Sequence, residues 1–423
     1  MMHYFRDIGK RVFYGWWIVT LGSVINGVGG GIIYQSFTVF FLPLKRDLGV
    51  SSASISLLYG AARLEGGVEG PLVGHLIDRF GSRLLIIIGA SLTGIGLILL
   101  STVHSFFAFF LIYVFIVGFG SNAGFFHPVS AVVNKWFIRR RGIGFSIISA
   151  SGNIGGMILA PLLSYIILEF GWRYGAIFSG LIILLITLPC ALPIKNSPEV
   201  MGLHPDGQPP PINPVQEIDA VPAPYCEVNF TVREALRTLN FWLLMISISL
   251  RLLVTVALNT HFVPILVWKG VSEVGGAFLV SVSAFACILA SLALGWLGDR
   301  WSKAFLSSLC LLPTLIAMLG MAFSQETAFI YFFPVAFAIT MGTAPLNWAL
   351  IGDFFGRRTY GTLRGIMGIG YGTATFISPI YAGWIFDRTE SYSLVLITFS
   401  IIFLVTAALF AILRHPSPPT QKS

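Results

Sequence analysis

Gly74-His75-Leu76-Ile77-Asp78-Arg79 returns 221 residues later as Gly295-Trp296-Leu297-Gly298-Asp299-Arg300. In both copies an apolar run ends in a glycine, followed four residues on by an acid and a base. Arg139-Arg140 return as Arg357-Arg358, Gly152 as Gly370 and Pro161 as Pro379, each 218 residues apart. Landmarks repeating at a nearly constant offset mean two homologous halves in one chain.

Around these landmarks the 423 residues fall into long apolar runs. A helix needs about 20 apolar residues to cross roughly 30 Å of hydrocarbon. Twelve runs meet that need: 15–42, 52–77, 84–102, 106–131, 142–169, 174–193, 238–268, 273–297, 304–323, 327–350, 361–385 and 391–413. The first, from Trp16 to Leu42, is too long for the apolar region of a signal peptide and reads as a span. Gly, Ala and Ser are frequent in the runs, which lets helix backbones approach closely in lipid. Residues 194–237 differ: they are proline-rich and carry acids, and they read as a soluble linker. The predicted organisation is an all-α membrane protein of twelve transmembrane helices. A six-helix bundle covers 1–193, a cytoplasmic linker 194–237, and a second, pseudo-symmetric six-helix bundle 238–423.

Lys and Arg set the orientation. With the N-terminus inside, nineteen of the 26 fall on cytoplasmic segments and five outside, namely Lys45, Arg46, Arg173, Lys269 and Arg388. The remaining two, Arg63 and Arg251, lie deep within spans. Both termini are therefore expected in the cytoplasm, and the protein in the cell membrane (the inner membrane of a bacterium) as a multi-pass chain. The net charge of +8 is then a mark of topology. With 56% hydrophobic and 10% charged residues and a mean hydropathy of +0.84, the chain is neither a soluble globular protein nor a nucleic-acid binder. Cys190, Cys226, Cys287 and Cys310 lack metal or haem spacing, so no cofactor is expected. There is no H-E-x-x-H or phosphate-cradling G-x-x-x-x-G-K-[ST] motif, so neither an enzyme nor ATP drive is expected.

The loop Gly74-x-Leu76-x-Asp78-Arg79-x-Gly81-x-Arg83 resembles the signature of the major facilitator superfamily between its second and third spans. Asp299-Arg300 resembles the weaker second copy, and the likeness covers nearly the whole chain. Within that superfamily the chain resembles the monocarboxylate transporters and the related oxalate/formate exchangers. Tyr14-Gly15-Trp16-Trp17, Ser36-Phe37-Thr38-Val39-Phe40-Phe41, and Trp136-Phe137-x-Arg139-Arg140-Arg141 followed by Ala150 and Gly155 carry that resemblance. It implies that spans one, four, seven and ten line a central cavity, with three, six, nine and twelve outermost. It also implies that Asp78, Arg79, Arg83, Asp299 and Arg300 latch the cytoplasmic side in the outward-facing state. The chain departs from the branch in three places: span eight holds no Asp–Arg pair, Gln35 stands where a lysine is usual, and the exchangers' eleventh-span lysine is missing.

An ionised side chain in hydrocarbon costs about 2.5–3.5 kcal/mol or more, so such residues face a cavity or a partner. Spans three, six, nine and twelve carry none. The deep ionisable residues are Arg63, Glu65, Glu69, His127, Arg251 and His261. Arg251 sits near the middle of its span, with Thr255 and Asn259 following at i+4 and i+8. It is the expected counter-charge of an anionic solute, with pairing to Glu65 or Glu69 as the structural alternative. His261, Asn122, Tyr34, Gln35, Asn347 and Tyr371 complete the candidate binding set. Arg63, Glu65 and Glu69 are candidates for proton coupling or gating.

The expected function is secondary transport of a small, monocarboxylate-like anion with a proton as coupling ion, by rocking of a monomer's two halves around a midplane site. The alternatives are exchange or transport of another small solute (a dicarboxylate, a neutral solute or a nitrate-like anion, the last from the likeness of Gly152-Asn153-x-Gly155 to the nitrate porters) and a sensor without flux.

Overall fold

The computed structural model describes residues 13–50, 52–207 and 229–416. Within them every long element is a helix. Twelve carry the architecture: α1 (Tyr14–Ile33), α2 (Ser52–Phe80), α3 (Ser82–Leu100), α4 (Phe106–Trp136), α5 (Arg141–Phe170), α6 (Trp172–Ala191), α7 (Leu239–Thr260), α8 (Glu273–Gly298), α9 (Lys303–Phe323), α10 (Thr327–Phe355), α11 (Tyr360–Thr389) and α12 (Ser393–Ile412). Among the described residues, ten of these segments are long and apolar enough to cross a membrane. The other two, α2 and α11, have the length but carry more polar residues, and they pack against each other. Large apolar side chains such as Val68, Leu168, Leu185 and Phe323 face outward, as lipid contact requires.

Helix breaks fall where proline removes a backbone donor. The expected span 238–268 divides at His261, after α7, because Pro264 offers Thr260 no N–H; Phe262–Trp268 then makes a separate turn. Pro128 has the same effect on Gly124, and α4 turns at Phe125 (φ −118°, ψ −106°). Pro345 withholds its donor from Met341, and α10 is interrupted between Met341 and Ala344. Wider π turns interrupt α1 at Gly30–Gln35 and α4 at Ile112–Gly118. Such turns concentrate where helices line functional sites.

One apolar core, from Ile18 to Ile194, belongs to α1–α6. A second, built around Phe241, Phe333, Phe399 and Phe403, belongs to α7–α12 and draws in Val73, Ile77 and Phe145 from the first six helices. That joining lies at the basic end, where α2 ends and α5 begins. There Gly67, Gly70 and Gly74 of α2 meet Gly368, Gly365 and Gly361 of α11 backbone to backbone. A Cβ at Gly70 would stand 2.8 Å from the Gly365 carbonyl oxygen, so only glycine permits this approach. The described parts of the linker cover the same end. Asp206 accepts hydrogen bonds from the amides of Ile138 (2.9 Å) and Arg139 (2.8 Å) before α5. Asn229 accepts from those of Arg357 (3.0 Å) and Arg358 (3.2 Å) before α11.

Candidate functional site

A cavity of about 440 Å³ lies between the two halves, in the size range of small-molecule sites. Asn26 and Gly30 of α1, Asn122, Phe126 and His127 of α4, and Gly152 and Asn153 of α5 line one side. Val256 of α7, Trp348 of α10, and Arg364, Tyr371 and Thr375 of α11 line the other. The π turn of α1 and that of α4 both reach the cavity, through Gly30 and Ile33 and through Tyr113 and Val117.

Arg364 is the charged residue of this lining. It stands one turn inside α11 and is 2% exposed. Its guanidinium carbon lies 4.6 Å from the Phe126 ring centre and 4.5 Å from that of Trp348, so two aromatic faces hold the cation. Nη1 donates to the Phe126 carbonyl at 3.3 Å and to the Ser130 hydroxyl. Nε has no partner, and among the described residues no carboxylate pairs with the group. Tyr371 and Thr375 follow at i+7 and i+11 and give α11 a polar stripe along the cavity. A planar cation with a donor still to satisfy suits a carboxylate.

The structure corrects the expectation that Arg251 faces the cavity. Arg251 is 2% exposed and points into the bundle formed by α7–α12. Its Nε donates to Thr343 Oγ1 (2.9 Å), and Nη2 to the carbonyls of Thr340 (3.0 Å) and Met341 (3.3 Å). The Pro345 break leaves the Met341 carbonyl without its helical donor, and Arg251 supplies one at the negative end of a helix. Neither Glu65 nor Glu69 is its partner. His261 also lies off the cavity, with Nδ1 3.0 Å from Tyr392 Oη and Nε2 3.1 Å from the Pro379 carbonyl. Asn259 is exposed beyond the cavity wall, and Asn347 accepts from Ser307 Oγ at 3.1 Å within the bundle. Of the candidate binding set, Asn122 and Tyr371 line the cavity. The side chains of Tyr34, Gln35 and Arg63 lie outside the described residues.

Arg364, Phe126 and Trp348 were missed from sequence. Arg364 lies only four residues into the eleventh run (361–385), at its basic end, where the charge count groups it with the cytoplasmic bases. Its spacing to Tyr371 and Thr375 was the signal available.

Behind the cavity wall, Asn122 Nδ2 donates to Glu69 Oε1 at 2.9 Å. Glu65 stands one helical turn before Glu69 on α2. Neither lines the cavity, and the Oε2 of each is buried without a hydrogen-bond partner.

Two acids close the basic end. Asp78, near the end of α2, accepts from the amides of Gly361 (3.1 Å) and Thr362 (2.8 Å) and from Thr362 Oγ1 (2.7 Å), at the start of α11. Asp299, just past α8, accepts from the amides of Gly142 (2.6 Å) and Ile143 (3.0 Å) at the start of α5. Each half thus caps a helix of the other, satisfying free N–H groups at a positive helix end. Arg79 and Arg300 stack on Phe80 and Trp296, and Arg83 contributes its backbone amide to Asn196. A third link, not foreseen, joins Arg141 of α5 to Asp353 of α10 (3.0 Å), which also holds Lys303 (2.7 Å). Asp78→Asn places an amide donor against backbone donors. It is expected to lower turnover by about 5- to 150-fold, a loss of about 1–3 kcal/mol of closed-state stability, while equilibrium solute affinity changes less. Uptake rate and binding measured on the same preparation check this; an unchanged rate at equal expression contradicts it.

The sequence model of the Major Facilitator Superfamily matches residues 19–271 and again 257–423. Human monocarboxylate transporter 6 is 26% identical over 405 residues, which cover 93% of this chain and 79% of that protein. The uncharacterised MFS-type transporter YcxA of Bacillus subtilis (strain 168) is 24% identical, over 93% of each chain. Rat monocarboxylate transporter 3 is 27% identical, over 90% of this chain and 76% of its own. Among solved structures, the E. coli fucose:proton symporter FucP superposes with a TM-score of 0.69 at 14% identity, covering 95% of this chain and all of that one. The proton:xylose symporter XylE, bound to 6-bromo-6-deoxy-D-glucose, gives 0.68 at 15% identity, covering 95% and 96%. These two establish the fold, and the family match runs through both halves: the chain belongs to the Major Facilitator Superfamily and is a multi-pass membrane transporter.

Proposed function

We propose that this transporter moves a small monocarboxylate together with a proton and has no enzymatic activity. The observation that carries the reading is Arg364: a buried guanidinium in the central cavity, held by two aromatic faces, without a carboxylate partner among the described residues. A charge in that position needs a counter-ion, and a cavity of about 440 Å³ admits one small anion. The named monocarboxylate transporters among the relatives support the same solute class. The Glu65–Glu69 pair, with one buried and unpartnered oxygen on each, supports a proton as the coupling ion, as do the proton symporters among the structural neighbours. With the basic end inside and both termini cytoplasmic, the closed latches make this the outward-facing arrangement.

Purified protein in liposomes tests this. An inward proton gradient is expected to drive accumulation of radiolabelled lactate or pyruvate above equilibrium, with alkalinisation outside. Saturable uptake that ignores the gradient contradicts proton coupling. Uptake of sugars or amines without carboxylates contradicts the solute class.

A further inference from the structure

We infer that the proton is held outside the solute cavity, on the Glu65–Glu69 pair, and that Asn122 is the positioning residue through which its presence is felt in the cavity. This rests on the proton-coupled reading above and deepens it. Three observations carry it. Glu65 and Glu69 stand one helical turn apart on α2, each with Oε2 buried and without a hydrogen-bond partner, and two carboxyls so placed favour the state in which one of them holds a proton. Neither carboxyl lines the cavity, so a solute anion does not meet them directly. Asn122 does line it, and its amide donates to Glu69 Oε1 at 2.9 Å, which ties the cavity wall to the pair by one hydrogen bond.

The packing makes this link stiff. A Cβ at Gly66 would clash with the Asn122 amide, and one at Gly118 would reach 3.0 Å from Glu65 Oε2. Glycine at these positions leaves room for the amide and the carboxyl and little more. Loss of the proton leaves two carboxylates one turn apart in a buried site, which repel, and Glu69 then pulls harder on its one neutral donor. The movement is delivered to Asn122, whose other face is cavity wall. Other titratable or charged groups lie around α2: Tyr113 and His127 of α4 and Arg364 and Tyr371 of α11, all on the cavity. Tyr34 of α1 and Arg63 of α2 have side chains outside the described residues. Between Leu84 and Leu100, α3 carries no charged residue or histidine.

The experiment uses full-length protein in liposomes with radiolabelled lactate or pyruvate, whichever the wild type accumulates. Lack of gradient-driven accumulation by the wild type itself overturns the proton-coupled reading, and this inference falls with it. Given a coupled wild type, Glu69→Gln is expected to flatten the pH profile of uptake and end solute-driven alkalinisation while downhill exchange persists. Asn122→Ala is expected to uncouple likewise, with accumulation falling to the equilibrium level and the pH profile of uptake flattened. Asn122→Asp retains a group able to donate when protonated. It is expected to restore accumulation with a displaced pH profile, and it also serves if the alanine variant does not fold. A wild-type accumulation ratio and pH profile in either Asn122 variant, or a pH profile unchanged in Glu69→Gln, overturns the inference.

Discussion

Arg364→Gln is expected to lower kcat/KM for a small monocarboxylate by about 100-fold or more. Removing one partner of a buried ion pair costs about 3–5 kcal/mol, and each 1.4 kcal/mol is a factor of ten. The loss falls on the solute because no protein carboxylate shares this guanidinium among the described residues. Arg364→Lys keeps the charge but loses the planar fork and its fit between Phe126 and Trp348, so an intermediate loss is expected. Initial uptake rates and equilibrium binding, normalised to folded protein, check both. Wild-type rates in Arg364→Gln contradict the assignment.

Arg251→Ala is expected to act on stability. The substitution removes three hydrogen bonds and strands the Met341 carbonyl at the α10 break. An unsatisfied buried polar group costs about 1–3 kcal/mol, which lowers the thermal midpoint of a chain of this length by about 1–3 °C. Binding by the protein that remains folded is expected to stay within about twofold of wild type. A variant of normal stability that has lost carboxylate binding returns Arg251 to the solute's counter-charge.

These two arginines show what was legible in the chain. Hydropathy places a residue's depth in a span, and the twelve runs agree with the twelve helices to within a few residues at most ends. Depth made Arg251 the obvious candidate. Direction around the helix axis was not legible, because it depends on the break at Pro345, which opens a carbonyl toward α7. Arg364 was hidden by the opposite error. Arg364 lies within the eleventh run but so near its cytoplasmic end that it counts with the loop bases, whereas Asp353 lies beyond the expected end of the tenth run at 350, in a helix that continues to Phe355. Asp78 and Asp299 stood out in the sequence because the repeat marks both positions, and each accepts amides of a helix in the other half. Asn122 was readable as a polar residue on a cavity-lining span. Its bond to Glu69 was not, since nothing in the sequence aligns the faces of α2 and α4.

The organic-anion reading therefore stands on Arg364 in place of Arg251. Isothermal titration of purified protein with a matched pair, propionate and propionamide, measures that claim most directly, since the two differ in charge and hardly in shape. Propionate should bind at least about 100-fold more tightly than the amide, in keeping with the cost of an unpaired buried charge, and that preference should vanish in Arg364→Gln. Equal affinity of the wild type for the two compounds, or a preference that outlives the substitution, contradicts the account.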